Sequence, residues 1–160
     1  MNLKENEGLN MKGKIISGYP GIGKTTYVNN NIEKAIDLDS SLFHPKTKGW
    51  EKYYINVAQA LAKQGFIVFI SCHAEVRDEL ALRDIDYTLI FPAKNLYEVW
   101  CDRLEDRYNK SGKDTDYRAF KFQQNSYLLI VEDLERYKNA IIINDINYDL
   151  SDIINNIERR

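Results

Sequence analysis

Eight consecutive residues, Gly18-Tyr19-Pro20-Gly21-Ile22-Gly23-Lys24-Thr25, satisfy the pattern G-x-x-x-x-G-K-[ST]. Each fixed position has a chemical reason. Glycines let the backbone take positive φ and approach oxygen atoms closely. The lysine ammonium is a point charge suited to β- and γ-phosphates, and the threonine hydroxyl suits Mg²⁺. Lys14–Ser17 before the loop reads as a short buried strand, and Thr25–Val28 after it can open a helix. That order aims backbone N–H groups and a helix start at an anion. The expectation is a nucleoside triphosphate site contacted by Gly18, Gly21, Ile22, Gly23, Lys24, Thr25 and Thr26. The plainer alternative is an anion loop without turnover.

Three further constellations bear on chemistry. Asp37 and Asp39 are two apart at the end of a short apolar run, so both carboxylates point to one side of a strand. Beside a triphosphate they could hold Mg²⁺ through water and orient an acceptor hydroxyl; alternatively Asp39 caps a turn. Arg103 and Arg107 are four apart and share a helix face. Planar guanidinium forks suit the oxygens of a transferring phosphoryl group, although Asp102, Glu105 and Asp106 offer ordinary ion pairs. Arg77 follows the central strand and is read either as reaching an acceptor's anionic group or as pairing with acids near Glu75 and Asp78. Trp50, Tyr53, Tyr54 and Phe43 either stack on a base or fill the core, and His73 is either a helix-start residue or a substrate contact.

The elements that must position these residues alternate. Strands are predicted at Lys14–Ser17, Ala35–Asp39, Phe66–Ser71, Tyr87–Phe91 and Ala140–Asn144. Helices are predicted from Lys24 to about Asn31, Trp50–Lys63, Glu75–Ala81, Leu96 to about Tyr108 with Asn95 as its cap, Ser126–Tyr137 and Leu150–Ile157. The Phe66–Ser71 run lacks polar alternation, as a strand covered on both faces does. Ser40–Gly49 reads as a loop, and Asn109–Phe122 as a mobile polar segment. Strand-helix alternation predicts a parallel α/β sheet with helices on both faces, and ligands gather at the carboxyl ends of such strands.

Composition narrows the function. The 160 residues suit one domain, with residues 1–11 as a loose polar leader, and 44% apolar content is that of a globular chain. A net charge of −2 argues against nucleic acid as partner. Cys72 and Cys101 sit in apolar segments without metal-type spacing and read as reduced thiols of a cytoplasmic protein. The longest apolar run, Phe66–Cys72, falls far short of the ~20 residues of a membrane span.

Together the Gly18–Thr25 loop, the D-x-D of Asp37 and Asp39, the R-x-x-x-R of Arg103 and Arg107, and Asn144-Asp145-Ile146-Asn147 after the last strand resemble the nucleoside-monophosphate-kinase-like superfamily of P-loop kinases. The resemblance covers most of residues 13–157. It implies a three-layer P-loop NTPase fold with a five-stranded parallel sheet in order 2-3-1-4-5 and a small lid. The domain would run over 12–160, with an acceptor region near 40–64 and the lid near 108–122. It further implies ATP and Mg²⁺ as cofactors and a monomer or homodimer acting on a small-molecule acceptor. Lys24, Asp39, Arg103 and Arg107 would carry transfer, and Thr25 and Asp37 would serve the metal. Asn144 would lie along adenine, and Asp39, Arg77 and Trp50 would meet the acceptor, a nucleoside or (deoxy)nucleoside monophosphate. Two departures stand out: residues 40–65 contain no arginine, their basic residues being Lys46, Lys48, Lys52 and Lys63, and the glycine-rich motif of shikimate kinases at strand three is missing. Rival readings are a kinase of a sugar, hydroxy acid or polynucleotide 5′-end, and a nucleotide-binding regulator or slow ATPase.

Overall fold

A computed structural model of the chain describes residues 13–43 and 47–158; the polar leader, Pro45 and Lys46 lie outside the described residues. Five strands form one sheet: β1 (Lys14–Gly18), β2 (Ala35–Asp37), β3 (Ile67–Ile70), β4 (Thr88–Pro92) and β5 (Ala140–Ile143). All neighbouring pairs are parallel and the order is β2-β3-β1-β4-β5, as expected. Six α-helices connect and close the strands: α1 (Lys24–Asn29), α2 (Trp50–Lys63), α3 (Ala74–Leu82), α4 (Tyr97–Ser111), α5 (Asp114–Leu134) and α6 (Leu150–Glu158). No helix among the described residues is long and apolar enough to cross a membrane.

Side-chain alternation divides the core. Ile15, Val68 and Ile70 pack with Trp50, Tyr54 and Ala58 of α2 and with Val76 and Leu80 of α3. Ile16, Ile67 and Phe69 belong to a larger cluster with Tyr27 of α1, Trp100 and Leu104 of α4, Tyr127 and Val131 of α5, and Ile154 of α6. The interior strand β3 is therefore buried along its whole length, which is why its sequence is apolar without alternation. Gly13 lets α2 come close: a Cβ there would lie 2.1 Å from the Ala62 carbonyl oxygen.

Because β1 has β3 on one side and β4 on the other, the connections diverge at its carboxyl end and open a crevice there. Gly18 ends β1, Asp37 ends β2 and Ser71 follows β3, so the loop and the D-x-D motif share that edge.

The region after β4 departs from expectation. Asn95 does not cap α4; it sits in a 3₁₀ turn, Lys94–Leu96, and α4 begins at Tyr97 without a side-chain cap. The segment expected to be mobile and polar is mostly helical. Gly112 takes the left-handed conformation (φ 62°) that ends α4, and α5 starts at Asp114 with Asp114 and Asp116 in its first turn. Arg107–Asp116 (3.0 Å) and Arg118–Asp114 (2.7 Å) ion pairs and a Tyr108–Tyr117 ring contact join the tip. The polarity that suggested a loop belongs to the exposed faces of a helical hairpin.

Candidate functional site

The Gly18–Thr25 loop leaves β1 and turns into α1. Gly21 (φ 88°) and Gly23 (φ 102°) lie in the left-handed region, where a Cβ would be strained. Lys24 folds back over the turn, its Nζ donating to the Gly18 carbonyl at 3.0 Å. A Cβ on Gly18 would meet Ile22 Cδ1 at 2.7 Å and Lys24 Cδ at 3.0 Å, so these side chains would have to shift. The Tyr19 N–H donates to the Ile90 carbonyl of β4 at 2.9 Å, stitching the loop to the sheet. Among the described residues, no backbone bond of the loop uses the N–H of Gly21, Gly23, Lys24 or Thr25. α1 is only six residues long and is capped at Gly23 by no side chain.

The loop's outer side is held by side chains distant in sequence. Trp100 Nε1 donates to the Pro20 carbonyl (2.8 Å), Arg103 Nη1 to the Gly21 carbonyl (2.9 Å), and the Tyr148 hydroxyl to the Ile22 carbonyl (2.8 Å). Arg103 Nη1 also donates to the Tyr148 hydroxyl at 2.8 Å. The Arg103 guanidinium lies over the Trp100 ring, 4.3 Å from its centroid, and Trp100 stacks on Tyr148. Underneath, the buried Tyr19 hydroxyl donates to Gln123 Oε1 of α5, and the Tyr19 ring meets Tyr127 edge-on. Burial pushes the Tyr19 hydroxyl's pKa far above its ordinary value, so it stays a donor.

Asp37 comes to the loop, whereas Asp39 lies beyond the end of β2 and near Asp37. Burial raises the Asp37 carboxyl above its usual range; Lys24 opposes that rise, Asp39 adds to it, and a hydrogen bond from Thr25 opposes it. Lys24, Thr25 and Asp37 thus form one electrostatic unit. Asp39 is exposed, and its Oδ1 accepts the Ser41 N–H at 2.8 Å, so the turn-capping alternative describes its present contact. The strand ends are tied by Tyr54 of α2: its hydroxyl donates to the Leu38 carbonyl (2.6 Å) and accepts the Ser71 N–H (2.9 Å). Ser17 Oγ adds a bond to the Ser71 carbonyl at 3.1 Å.

The remaining candidates scatter. Arg77 is buried and ion-paired at 2.9 Å with Asp133 of α5, not with acids near Glu75 or Asp78. Its Nε donates to the Cys72 carbonyl at 3.0 Å and its guanidinium covers the Tyr137 ring. Trp50 is core, packed on Tyr54, with the His73 ring at its edge. His73 is the residue that starts α3. Asn144 is exposed and bonds its own segment through the Ile142 carbonyl at 3.3 Å. A hollow of about 500 Å³ is lined by Arg103, Arg107 and Lys110, by Asp102 and Asp106, and by Val99 and Ile146. A second hollow, about 390 Å³, lies where Asp84–Tyr87 and Tyr137–Asn139 lead into β4 and β5, at the opposite edge from the loop.

Trp100, Tyr148, Tyr19 and Gln123 were missed by sequence reasoning. The only signal for them was indirect: Tyr19 occupies a variable place in the loop pattern, and Tyr148 follows the Asn144–Asn147 segment by one residue. Among the described residues no group of three or more His, Cys, Asp or Glu side chains could by itself hold a metal ion. A cation at Thr25 and Asp37 would need ligand oxygens from a bound phosphate, the usual habit of Mg²⁺. No protein-family model matches the chain, and no curated protein sequence matches it.

Proposed function

We propose that the protein transfers the γ-phosphoryl group of ATP to a hydroxyl of a small molecule. The observation that carries this reading is a glycine loop at the carboxyl end of β1 with Lys24, Thr25 and Asp37 interacting at its mouth. The N–H groups of Gly21, Gly23, Lys24 and Thr25 have no acceptor in the described chain, and a polyphosphate would supply one. Lys24 would leave the Gly18 carbonyl for phosphate oxygens, exchanging a neutral acceptor for a charged one. Thr25 and Asp37 would hold Mg²⁺ together with the phosphates; the ion supplies charge neutralisation along the transferred group when bound. Such catalysis consists of positioning and electrostatics.

The acceptor lies on the β2 side of the crevice in this reading, with Asp39 turning a hydroxyl toward the phosphoryl group. Within the acceptors implied by the resemblance, the structure favours one recognised through hydroxyls, such as a nucleoside, over a monophosphate. The reason is Arg77, the arginine assigned to an acceptor phosphate, whose donors already serve Asp133 and Cys72. The test is an ADP-release assay with ATP, Mg²⁺ and a panel of nucleosides, nucleoside monophosphates and sugars. Acceptor-dependent ADP supports the reading, with nucleosides ahead of monophosphates. ADP formed equally without acceptor would make the protein an ATPase.

A further inference from the structure

We infer that Arg103 is a positioning residue of the loop, acting with Tyr148 and Trp100, rather than a ligand of the transferred phosphoryl group. The inference rests on the reading of Gly18–Thr25 as a polyphosphate site. In a planar trans peptide the C=O and N–H point in opposite directions, so fixing one aims the other. The carbonyl of Pro20 shares a peptide with the N–H of Gly21, and the carbonyl of Ile22 shares one with the N–H of Gly23. Trp100 holds the first carbonyl and Tyr148 the second, and both N–H groups they aim have no acceptor in the described chain. Arg103 takes the carbonyl between them, on Gly21.

Arg103 also decides what Tyr148 can do. A phenol has one proton. By donating to the Tyr148 oxygen at 2.8 Å, Arg103 occupies its acceptor side and leaves the Tyr148 proton directed at Ile22. Arg103, Tyr148 and the Ile22 carbonyl are therefore a relay that ends on the loop. Positive φ at Gly21 and Gly23 makes the conformation accessible, but glycine is equally at ease in many others, so something outside the loop must select it. The three side chains supply that selection from α4 and from the turn before α6. The stack of guanidinium on Trp100 and of Trp100 on Tyr148 keeps them in register with each other.

The test compares inorganic tripolyphosphate and Mg-ATP binding by calorimetry for the full chain, Tyr148→Phe, Arg103→Lys and the double variant, alongside transfer rate and melting temperature. Tyr148→Phe removes one hydroxyl and no charge; Arg103→Lys keeps the charge and loses the planar guanidinium whose stacking on Trp100 holds Nη1 between the Gly21 carbonyl and the Tyr148 hydroxyl. The expected result is about 5-fold weaker tripolyphosphate binding for each, as for one lost hydrogen bond. The double variant should be no weaker than the worse single one, because the two residues are links of one relay. KM for ATP should rise in step with the weaker binding, by a larger factor than any fall in turnover. Tyr148→Phe binding both ligands like wild type, with Arg103→Lys losing turnover alone, would overturn the inference and return Arg103 to the phosphoryl group. Wild type binding neither ligand would overturn both this inference and the proposed function. Wild-type binding with unaffected variants overturns this inference only.

Discussion

The two halves of the crevice are built very differently. On the β1 side, successive loop carbonyls are held by side chains from α4 and from the turn before α6, and Tyr19 is anchored to α5. On the β2 side, Asp39 is exposed, its contact is a local one to Ser41, and Leu42 beside it is 74% exposed. The first half is determined by residues up to 126 positions apart in the chain; the second, beyond the Tyr54 bridge, by its nearest neighbours. The contrast fits a site whose donor half is assembled in advance and whose acceptor half takes its final form around a ligand.

That contrast can be broken. The largest expected effect is at the most determined point: Lys24→Ala should reduce phosphoryl transfer by at least about 10²-fold, with little change in melting temperature, because the ammonium's hydrogen bond is to one carbonyl, Gly18, and Asp37 can take up a proton when its charge partner is removed. An unchanged rate would remove the loop from the reaction. Next is Tyr54→Phe, which strips partners from both the Leu38 carbonyl and the Ser71 N–H. A loss of about 1–3 kcal/mol in urea unfolding is expected, together with a raised KM for the acceptor and a smaller change for ATP. Equal changes in both would show that the two halves are not separable.

Asp39→Asn sharpens the acceptor side. Asparagine can still accept the Ser41 N–H, so the turn survives while the charge is lost. Turnover should fall about 10-fold or more, within the range for a positioned acid–base group, while ATP affinity stays. Unchanged turnover would mean that Asp39 is only a turn cap.

The smallest effect concerns the buried phenols. Tyr19, Tyr54 and Tyr127 all have pKa values raised first by burial, and Tyr87 is pushed up to about 12 for the same reason. A group with a higher pKa when folded contributes stability that is intact below the unfolded value of ~10 and is lost as pH rises beyond it. Unfolding free energy should therefore be flat through neutral pH and decline from about pH 10 upward, with tyrosinate absorbance appearing late. Early titration of all eleven tyrosines would show that these hydroxyls are not enclosed.

What could be read from the chain alone follows from where the physics is local. The β3 run, the α2 periodicity and the loop's glycines each carry their own signal, and the strand order implied by the resemblance agrees with the sheet. The Asn109–Phe122 stretch reads as mobile from sequence because its charges pair across the tip of the α4–α5 hairpin, Arg107 with Asp116, a contact that spacing on one helix does not reveal. The ion pair of Arg77 is illegible for the same reason: its partner, Asp133, is 56 residues away. The neighbours of Arg103 in sequence likewise say nothing of its bonds to Gly21 and Tyr148, 82 and 45 residues away. Long-range polar partners are chosen by the fold, and no periodicity in the chain reports them.

The most direct measurement is the melting temperature with and without Mg-ATP, for wild type and Lys24→Ala. A ligand that binds only the folded state stabilises it by RT ln(1 + [L]/Kd). The account predicts a concentration-dependent rise for wild type and little or none for Lys24→Ala. No rise in wild type, or an equal rise in both, would contradict it.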